Sequence, residues 1–212
     1  MRSRHLLLIF IPAFIVGAFG FLVQIIRYQP LIPKDIRQKT YDLNIPIYDD
    51  DPVLGNKRAP ITIIAFEDLG CVPCRESMKV LNALIAEYPK KIKVIWKGLP
   101  ITQFPTPSAR AHAYAFCAHK EKKFSFFEQT FIENDASGEE ESLREISQAI
   151  GLDEKNMTDC LASDVWSRYQ EKTEALATSL NIQAVPALFI QNKQINPPHS
   201  VAAWAEFLNL SL

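Results

Sequence analysis

The sequence predicts an α/β protein in which a small mixed sheet is interrupted by an all-helical insert and preceded by an N-terminal transmembrane helix. Three observations lead to this fold class. Residues 61–67 form a β-branched, mostly apolar run, which is typical of a buried strand. Residues 107–180 have helical patterns throughout, and residues 6–26 contain no charged side chain. With 212 residues, 48% of them hydrophobic, the chain is long enough for one domain with a proper core.

The central strand is followed by a helix and then by a second strand. Met78, Leu81 and Leu84 recur at the helical period, which predicts a helix that ends before Pro89. Residues 92–99 alternate in polarity and predict the next strand. Because a helix joins the two strands, we expect them to be parallel, with a right-handed crossover.

Weaker patterns complete the predicted sheet. Residues 43–48 predict a short edge strand, and residues 49–60, rich in Asp, Pro and Gly, predict a loop. Residues 187–191 and 194–195 predict a closing hairpin. A final amphipathic helix is predicted over residues 200–210, with inward side chains at Trp204, Phe207 and Leu208.

Residues 1–28 predict a membrane anchor or a signal segment. As a helix, residues 6–26 would extend about 31 Å, enough to cross a bilayer core. The small residues within 18–20 fit a signal cleavage pattern, but the apolar run continues beyond them, which favours a retained anchor. Residues 29–42, with two prolines and mixed charges, predict a linker, and residues 43–212 predict the folded domain.

Charge alone does not orient this segment, since lysine and arginine residues lie on both sides of it. The cysteine usage favours an oxidising compartment, so we expect the folded domain outside the cytoplasm, in a periplasm-like space. The net charge of −1, with both signs interspersed, gives no basis for nucleic-acid binding.

Cys71 and Cys74 are the candidate catalytic residues. The strand breaks at Gly70, and the two cysteines then open the predicted helix. A helix N-terminus carries partial positive charge and free N–H donors, which favour the thiolate form of Cys71. Stabilising that thiolate stabilises the reduced protein, which makes the disulfide a better oxidant. Since positions i and i+3 share a helix face, the two sulfurs can close a small ring.

Metal binding is the alternative for this cysteine pair. A structural zinc site commonly uses two such pairs, and the sequence contains only one. His112, Cys117 and His119 would have to complete the set, so we predict no metal site. A c-type haem site would need a histidine after Cys74, where the chain has Arg75.

Four stretches together carry a resemblance to a known family. They are Leu54-Gly55-Asn56 with Ala59-Pro60, the strand into Cys71-Val72-Pro73-Cys74, the Ala-rich helix with Cys117 followed by Lys123-Phe124, and the run from Val185 to Ile190. In this combination the chain resembles the DsbA-like thiol–disulfide oxidoreductases from about residue 51 to its C-terminus. The resemblance implies a thioredoxin-like mixed sheet with a helical insertion and no bound cofactor.

The resemblance also assigns a substrate-docking surface. It implies that Pro186 is a cis-proline facing Cys71 and Cys74, although the sequence alone permits an ordinary trans bond at a strand start. In this family the backbone beside that proline pairs with an extended substrate chain. Val185, Leu69 and Val72 are then expected to line an apolar groove with Pro186, and Phe104 either joins them or lies in the core.

Two positions depart from the family pattern. Relatives usually carry a buried acid six residues before the first cysteine, where this chain has Ala65. Glu67 shares the strand face of Ala65 and is the candidate proton relay, with a surface carboxylate as the alternative. Val72-Pro73 lacks the histidine of strongly oxidising members, which leaves the oxidising strength open.

Cys117 and Cys160 fall in separate helices of the predicted insert. Buried free thiols are one interpretation, because cysteine is among the most buried residues. Some relatives bridge cysteines in corresponding helices, so the resemblance and an exported location favour a structural disulfide.

The expected function is disulfide introduction into exported proteins that carry free thiols, with re-oxidation by a membrane partner. A reductase or isomerase on the same fold is the alternative, although residues 29–40 contain nothing resembling a dimerisation domain. A non-catalytic module that binds metal through its thiols is a third possibility.

Overall fold

The structure, a computed structural model, describes Phe14 and residues 16–24 and 44–210. Phe14 and residues 16–24 are helical. Within the described part of the chain, no helix is both long enough and apolar enough to cross a membrane. About half of the predicted anchor over residues 6–26 lies outside the described residues, and the predicted linker over residues 29–42 lies wholly outside them. The chain divides into two units, Met1–Asp42 and Leu43–Leu212.

The second unit contains a five-stranded mixed sheet, as predicted. Its order is β1-β3-β2-β4-β5, and only the central pair, β2 and β3, is parallel. The parallel pairing follows from the helix between these strands, which carries the chain back over one face of the sheet. The strands are β1 (Val53–Gly55), β2 (Ile61–Glu67), β3 (Ile92–Gly98), β4 (Ala187–Ile190) and β5 (Lys193–Ile195).

Five helices lie between β3 and β4 and form the insert. The first helix of the domain connects β2 to β3, and the last follows β5. The helices are α1 (Val72–Glu87), α2 (Ala109–Lys120), α3 (Phe124–Glu133), α4 (Glu140–Ala149), α5 (Glu154–Ala162), α6 (Val165–Ser179) and α7 (Val201–Phe207).

The sheet separates two apolar cores, because alternate side chains of each strand point to opposite faces. Ile63 and Ala65 of β2 belong to the larger core, which includes residues of α1, α7 and most of the insert. Ile64 and Phe66 point the other way, into a smaller core that includes Ala177 of α6. The same alternation directs Glu67 to the α1 face of the sheet.

Two assignments near the ends of the domain are wrong. The edge strand is Val53–Gly55, which pairs with β3, whereas residues 44–48 have no regular secondary structure. Ile45 buries its side chain in the smaller core without joining the sheet, which explains the apolar pattern there. Phe207, predicted to face inward, is half exposed because α7 ends at that residue.

The insert is closed by a disulfide between Cys117 of α2 and Cys160 of α5, residues 43 apart in sequence. Cys117 is buried. By restricting the unfolded chain, a bridge over a loop of this length stabilises the fold by about 4 kcal/mol.

We therefore expect the double variant Cys117→Ser/Cys160→Ser to lose about 4 kcal/mol of unfolding free energy in urea titrations. The matched control is Cys71→Ser/Cys74→Ser, which removes two cysteines but no bridge of the insert. Equal urea midpoints for the two double variants would contradict the stabilising role of this disulfide.

Candidate active site

Cys71 is the N-cap residue of α1. Its backbone is extended (φ −92°, ψ 121°), and its sulfur accepts a hydrogen bond from the Cys74 N–H at 3.4 Å. Pro73 fits the first turn because the N–H that proline lacks has no partner inside the helix at that position. The Cys71 sulfur therefore lies at the N-terminus of α1, the positive end of the helix dipole, as the sequence predicts.

The two sulfurs differ in exposure. Cys71 is half-buried, whereas Cys74 is completely buried, and both are free cysteines. Burial, together with the neighbouring Cys71 and Glu67, raises the pKa of the Cys74 thiol far above its ordinary value. Cys74 therefore holds its proton, while Cys71 is the sulfur that solvent and a substrate can reach.

The sulfurs are also close enough for exchange chemistry. The Cys71 and Cys74 sulfurs lie 2.6 Å apart, closer than van der Waals contact. The pair can close to a disulfide with little movement. The Cys71 thiol lies 3.8 Å from the Val185 carbonyl oxygen, and the Val185–Pro186 bond is cis. Pro186 thus lies beside the exposed sulfur.

Asp68 holds the turn that carries Cys71. One carboxylate oxygen accepts the Gly70 N–H at 2.9 Å, and the other accepts the N–H groups of Ile101 and Thr102 at 2.9 and 2.7 Å. Burial by itself raises the pKa of Asp68, but its hydrogen bonds to His112, Gly70 and Ser108 hold that pKa well below its usual range. The turn after β2 and the loop after β3 are therefore tied to one buried anion.

His112 of α2 lies beneath the same turn. Its Nε2 is 3.0 Å from the Leu69 nitrogen and 3.0 Å from Asp68 Oδ1, and its ring stacks on Trp96. Burial lowers the pKa of His112, which favours the neutral ring. The residue supports the turn and does not reach the cysteine sulfurs through any of these contacts.

Arg75 connects the turn to the insert. Its Nε donates to the Leu69 carbonyl at 2.7 Å, its Nη2 donates to the Ala136 carbonyl at 3.0 Å, and its Nη1 pairs with Asp135. The guanidinium also lies over the Phe131 ring. Arg75 is therefore neither a solvated side chain nor a cation free to approach Cys71.

Glu67 is fully buried at the end of β2, so the surface-carboxylate alternative is wrong. Burial raises the pKa of Glu67 to about 8, the Ser77 hydroxyl opposes that rise, and the charge of Glu128 adds to it. The Ser77 contact is a poorly aligned one, because neither Ser77 Oγ nor Glu67 Oε1 makes a hydrogen bond of standard geometry. Near neutral pH, Glu67 is a buried acid that still carries its proton.

Several apolar side chains of the turns and loops at this end of the sheet are exposed. Val72 is 69% exposed and Phe104 is 86% exposed, while Val185 and Pro186 are partly exposed. Phe104 is therefore not a core residue. Leu69 is 0% exposed, so the prediction that its side chain lines this groove is wrong: the Asp68 turn directs it into the larger core. We call Val72, Phe104, Val185 and Pro186 the docking surface.

The alternative metal ligands are not assembled. Cys117 is committed to a disulfide, and His112 is engaged with Asp68 and Leu69. Among the described residues, no group of three or more His, Cys, Asp or Glu side chains could hold a metal ion.

Three residues of this site escaped the sequence analysis as site residues. Asp68 adjoins the strand end, but its partners Ile101, Thr102 and His112 lie 33 to 44 residues away, so spacing did not reveal its role. His112 was considered only as a metal ligand. Glu128 lies in a phenylalanine-rich helix, where an acid is usually a solvent-facing residue.

A cis-proline beside a cysteine pair at a helix N-terminus, on a mixed sheet with a helical insert, defines a dithiol protein of the thioredoxin fold. The sequence profile of the family described as thioredoxin matches residues 48–209, and the chain belongs to this family.

Solved structures share the fold. A thioredoxin-like oxidoreductase from Silicibacter pomeroyi superposes with a TM-score of 0.67 at 20% identity, covering 76% of this chain and 92% of that one. The thiol–disulfide exchange protein α-DsbA2 from Wolbachia pipientis gives a TM-score of 0.67 at 21% identity, covering 77% and 88%. The fold implied by the DsbA-like resemblance is thereby confirmed.

A curated relative is much longer than this chain. The Na⁺/H⁺ antiporter NhaA 3 of Salinispora tropica is 21% identical over 164 residues, which are 76% of this chain. The chain spans about a quarter of that antiporter's length, since the match covers 25% of it.

The buried acid predicts a pH-dependent stability. In the unfolded chain the Glu67 carboxyl titrates near 4.5, and in the folded chain near 8. Its contribution is therefore fully present below about pH 4.5 and is lost as the pH rises towards 8. Relative to Glu67→Gln, we expect the reduced wild type to lose on the order of 3 kcal/mol between pH 5 and pH 8.

Urea unfolding of both proteins across this pH range measures the difference. Glu87→Gln, at an exposed position at the end of α1, is the matched control and should follow the wild type. Parallel pH curves for wild type and Glu67→Gln would show that Glu67 is not a buried neutral acid.

Proposed function

We propose that this chain is a membrane-anchored, extracytoplasmic thiol–disulfide oxidoreductase that introduces disulfides into exported proteins through Cys71 and Cys74. The observation that carries the proposal is the asymmetry of the two sulfurs. They lie 2.6 Å apart, yet Cys71 faces the docking surface at a helix N-terminus and Cys74 is buried. Cys71 is therefore the sulfur that a substrate thiolate attacks, and Cys74 is the leaving group.

The reaction starts from the Cys71–Cys74 disulfide. A substrate thiolate attacks the Cys71 sulfur, a bond forms between these sulfurs, and the bond between Cys71 and Cys74 breaks. Cys74 departs with the electron pair as a thiolate. A second substrate thiolate then attacks the substrate sulfur of the mixed disulfide and releases Cys71 as a thiolate. Two electrons have moved from the substrate dithiol to the protein, and a re-oxidising partner must accept them.

Glu67 is suited to manage the proton of Cys74. Burying a thiolate away from water costs free energy, and a protonated carboxyl nearby supplies the proton that neutralises it. The side chain stands two residues from Ala65, where relatives have their acid, and the two positions share a strand face. Glu67 is therefore the proposed proton relay.

The docking surface suits an unfolded or extended substrate segment. Val72 adjoins Cys71 in sequence, and the exposed ring of Phe104 lies on the loop that follows β3. The Val185 carbonyl, beside cis-Pro186, is the proposed acceptor for the backbone of an extended substrate chain. Such a surface selects for flexible chains with a reachable thiol rather than for one sequence.

One feature supports the oxidising direction. The Cys71 sulfur lies at the N-terminus of α1 and accepts the Cys74 N–H, and the partial positive charge of a helix N-terminus favours the reduced protein. The missing histidine between the cysteines favours a weaker oxidant, so a reductase or an isomerase is the second candidate.

The anchor and the location rest on the N-terminal sequence and on the Cys117–Cys160 bridge. The apolar stretch over residues 6–26 and the following linker would tether the domain to a membrane, and an internal disulfide suits an oxidising compartment. Tethering would raise the effective concentration for re-oxidation by a membrane partner. No bound cofactor is required.

Equilibration with glutathione distinguishes the two directions. We expect a reduction potential clearly above the value of about −270 mV that is typical of thioredoxin. Quenching with acid and counting free thiols at each glutathione ratio gives the potential. A value at or below that of thioredoxin would remove the oxidase assignment and leave the reductase.

Mixed-disulfide trapping tests the site itself. We expect Cys74→Ala to accumulate covalent adducts with unfolded thiol-containing proteins, whereas Cys71→Ala/Cys74→Ala should form none. Replacing the exposed ring in Cys74→Ala/Phe104→Ser should slow adduct formation roughly fivefold, since losing part of a buried aromatic contact costs about 1 kcal/mol.

The matched control for the docking surface is Phe126→Ser in the Cys74→Ala background, because Phe126 is also exposed but lies on α3. A metal-carrying module would trap no partner. Equal trapping rates for the Phe104 and Phe126 variants would contradict the docking surface but leave the dithiol chemistry standing.

A further inference from the structure

The turn that carries Cys71 lies between two loops at one end of the sheet. In the sheet order, β2 is flanked by β3 on one side and by β4 on the other, and the register places the end of β3 and the start of β4 beside the end of β2. Val185 and Pro186 are therefore on the β4 side of this turn, and the loop that carries Phe104 is on its β3 side. The proposed function uses the β4 side for the substrate backbone and leaves most of the β3 side unassigned.

A cavity of about 210 Å³ lies on the β3 side. Its lining includes Gly70, which directly precedes Cys71, and Thr106 from the loop after β3. An added Cβ at Gly70 would lie 2.8 Å from the Cβ atoms of both Ser108 and Thr102, so only a glycine lets this loop pack so closely against the turn. The cavity therefore begins one residue from Cys71 and adjoins the loop of the docking surface.

The charged groups of this cavity are unequally available. The Arg75 guanidinium donates to the Leu69 and Ala136 carbonyls, pairs with Asp135 and lies over the Phe131 ring. Its side chain is 14% exposed, whereas that of Asp135 is 92% exposed. Among the described residues, Arg75 is the one partner of the Asp135 side chain, so a carboxylate oxygen is left free to accept. The cation is thus occupied, and the anion is open to an incoming group.

Two hydroxyl groups add to the available acceptors. Thr102 and Thr106 line the cavity, and neither hydroxyl makes a hydrogen bond with another described residue. The Ser108 hydroxyl differs, since it donates to the Thr102 carbonyl at 3.4 Å. A threonine hydroxyl oxygen can accept through two lone pairs. A donor that enters the cavity therefore has three acceptors, one of them charged.

A second cavity, of about 470 Å³, adjoins the first and shares Thr106 and Gly138 with it. Its lining includes Glu139, which is exposed and forms no ion pair with a described residue, whereas Arg110 is paired with Glu140. The charge that remains unpaired along the two cavities is therefore negative.

We propose that the first cavity, between the Cys71 turn and Asp135, is a subsite for a basic side chain beside the substrate cysteine. This inference rests on the proposed function, because it names the class of substrate segment that the dithiol prefers. While the substrate backbone pairs with Val185 on the β4 side, a lysine or arginine beside the reacting cysteine extends to the β3 side. Its charged group pairs with Asp135 and donates to the hydroxyls of Thr102 and Thr106.

Charge complementarity favours a basic side chain over the alternatives. Asp135 repels an acidic side chain, which would have to displace it from Arg75 to find a cation. A glutamine can donate to the two hydroxyls, but it gains no charge attraction. We therefore expect the preference to fall from lysine or arginine through glutamine to glutamate.

Oxidation of dithiol peptides by the oxidised full-length protein tests the subsite. Three peptides carry lysine, glutamine or glutamate on each side of both cysteines and are otherwise identical. Each rate is divided by the rate at which oxidised glutathione oxidises the same peptide, which removes differences in thiol reactivity. We expect the lysine peptide to react roughly threefold faster than the glutamine peptide, as for an ion pair at a solvent-exposed site, and the glutamate peptide to be slowest.

Asp135→Asn should abolish the lysine preference. The variant removes the charge but keeps the shape of a residue in the left-handed conformation (φ 47°), which asparagine adopts readily. Glu133→Gln is the matched control, because it removes the same charge from an exposed residue two positions away that does not line the cavity. It should keep the preference. An unchanged preference in Asp135→Asn, or an equal loss in both variants, would overturn the proposal.

A second measurement needs no variant. The lysine preference of the wild type should shrink as the salt concentration rises from about 0.1 M to about 1 M, because salt screens exposed charges. A preference for glutamate, or a lysine preference that high salt leaves unchanged, contradicts the subsite.

Failure of the subsite is distinguishable from failure of the function. If the protein oxidises all three peptides at equal normalised rates, the subsite is wrong and the dithiol function stands. If it oxidises none of them and Cys74→Ala traps no thiol protein, the proposed function itself is wrong.

Discussion

The active site depends on one buried anion. Asp68 accepts the Gly70 N–H on one side and the N–H groups of Ile101 and Thr102 on the other, so a single carboxylate joins the turn before Cys71 to the loop that leads to Phe104. Backbone N–H groups in such a turn have no strand or helix to satisfy them. The carboxylate supplies those partners, and the position of Cys71 at the start of α1 follows from it.

The acids around Cys74 follow from strand geometry. Along β2, Ala65 and Glu67 point into the larger core and Phe66 points into the smaller one. Moving an acid by two residues therefore keeps it on the cysteine face, whereas a shift of one would place it against α6. At the position of the usual acid, the small Ala65 is paired with the large Trp96 of β3 in the sheet register.

Local patterns predicted much of the fold, while the contacts of the site depend on distant residues. Long periodic stretches such as 72–87 and 165–179 were predictable, because an apolar face at helical period is visible in sequence. The edge strand Val53–Gly55 was not predicted, because three residues are too few to show an alternation of apolar and polar side chains. Leu69 was misplaced, and Phe104 could not be decided between groove and core, because a turn and a loop have no alternation that sets which side chains are buried. The partnership of Asp68 with His112 and of Glu67 with Glu128 joins residues 44 and 61 positions apart, and only the folded topology brings them together.

The bridge between Cys117 and Cys160 has a consequence for how the protein comes to exist. A newly made chain carries four thiols, and its insert reaches its final covalent form only after two electrons have left that pair. The protein therefore needs an oxidant before its own fold is complete. Maturation of the insert therefore depends on the redox conditions of the compartment in which the chain folds.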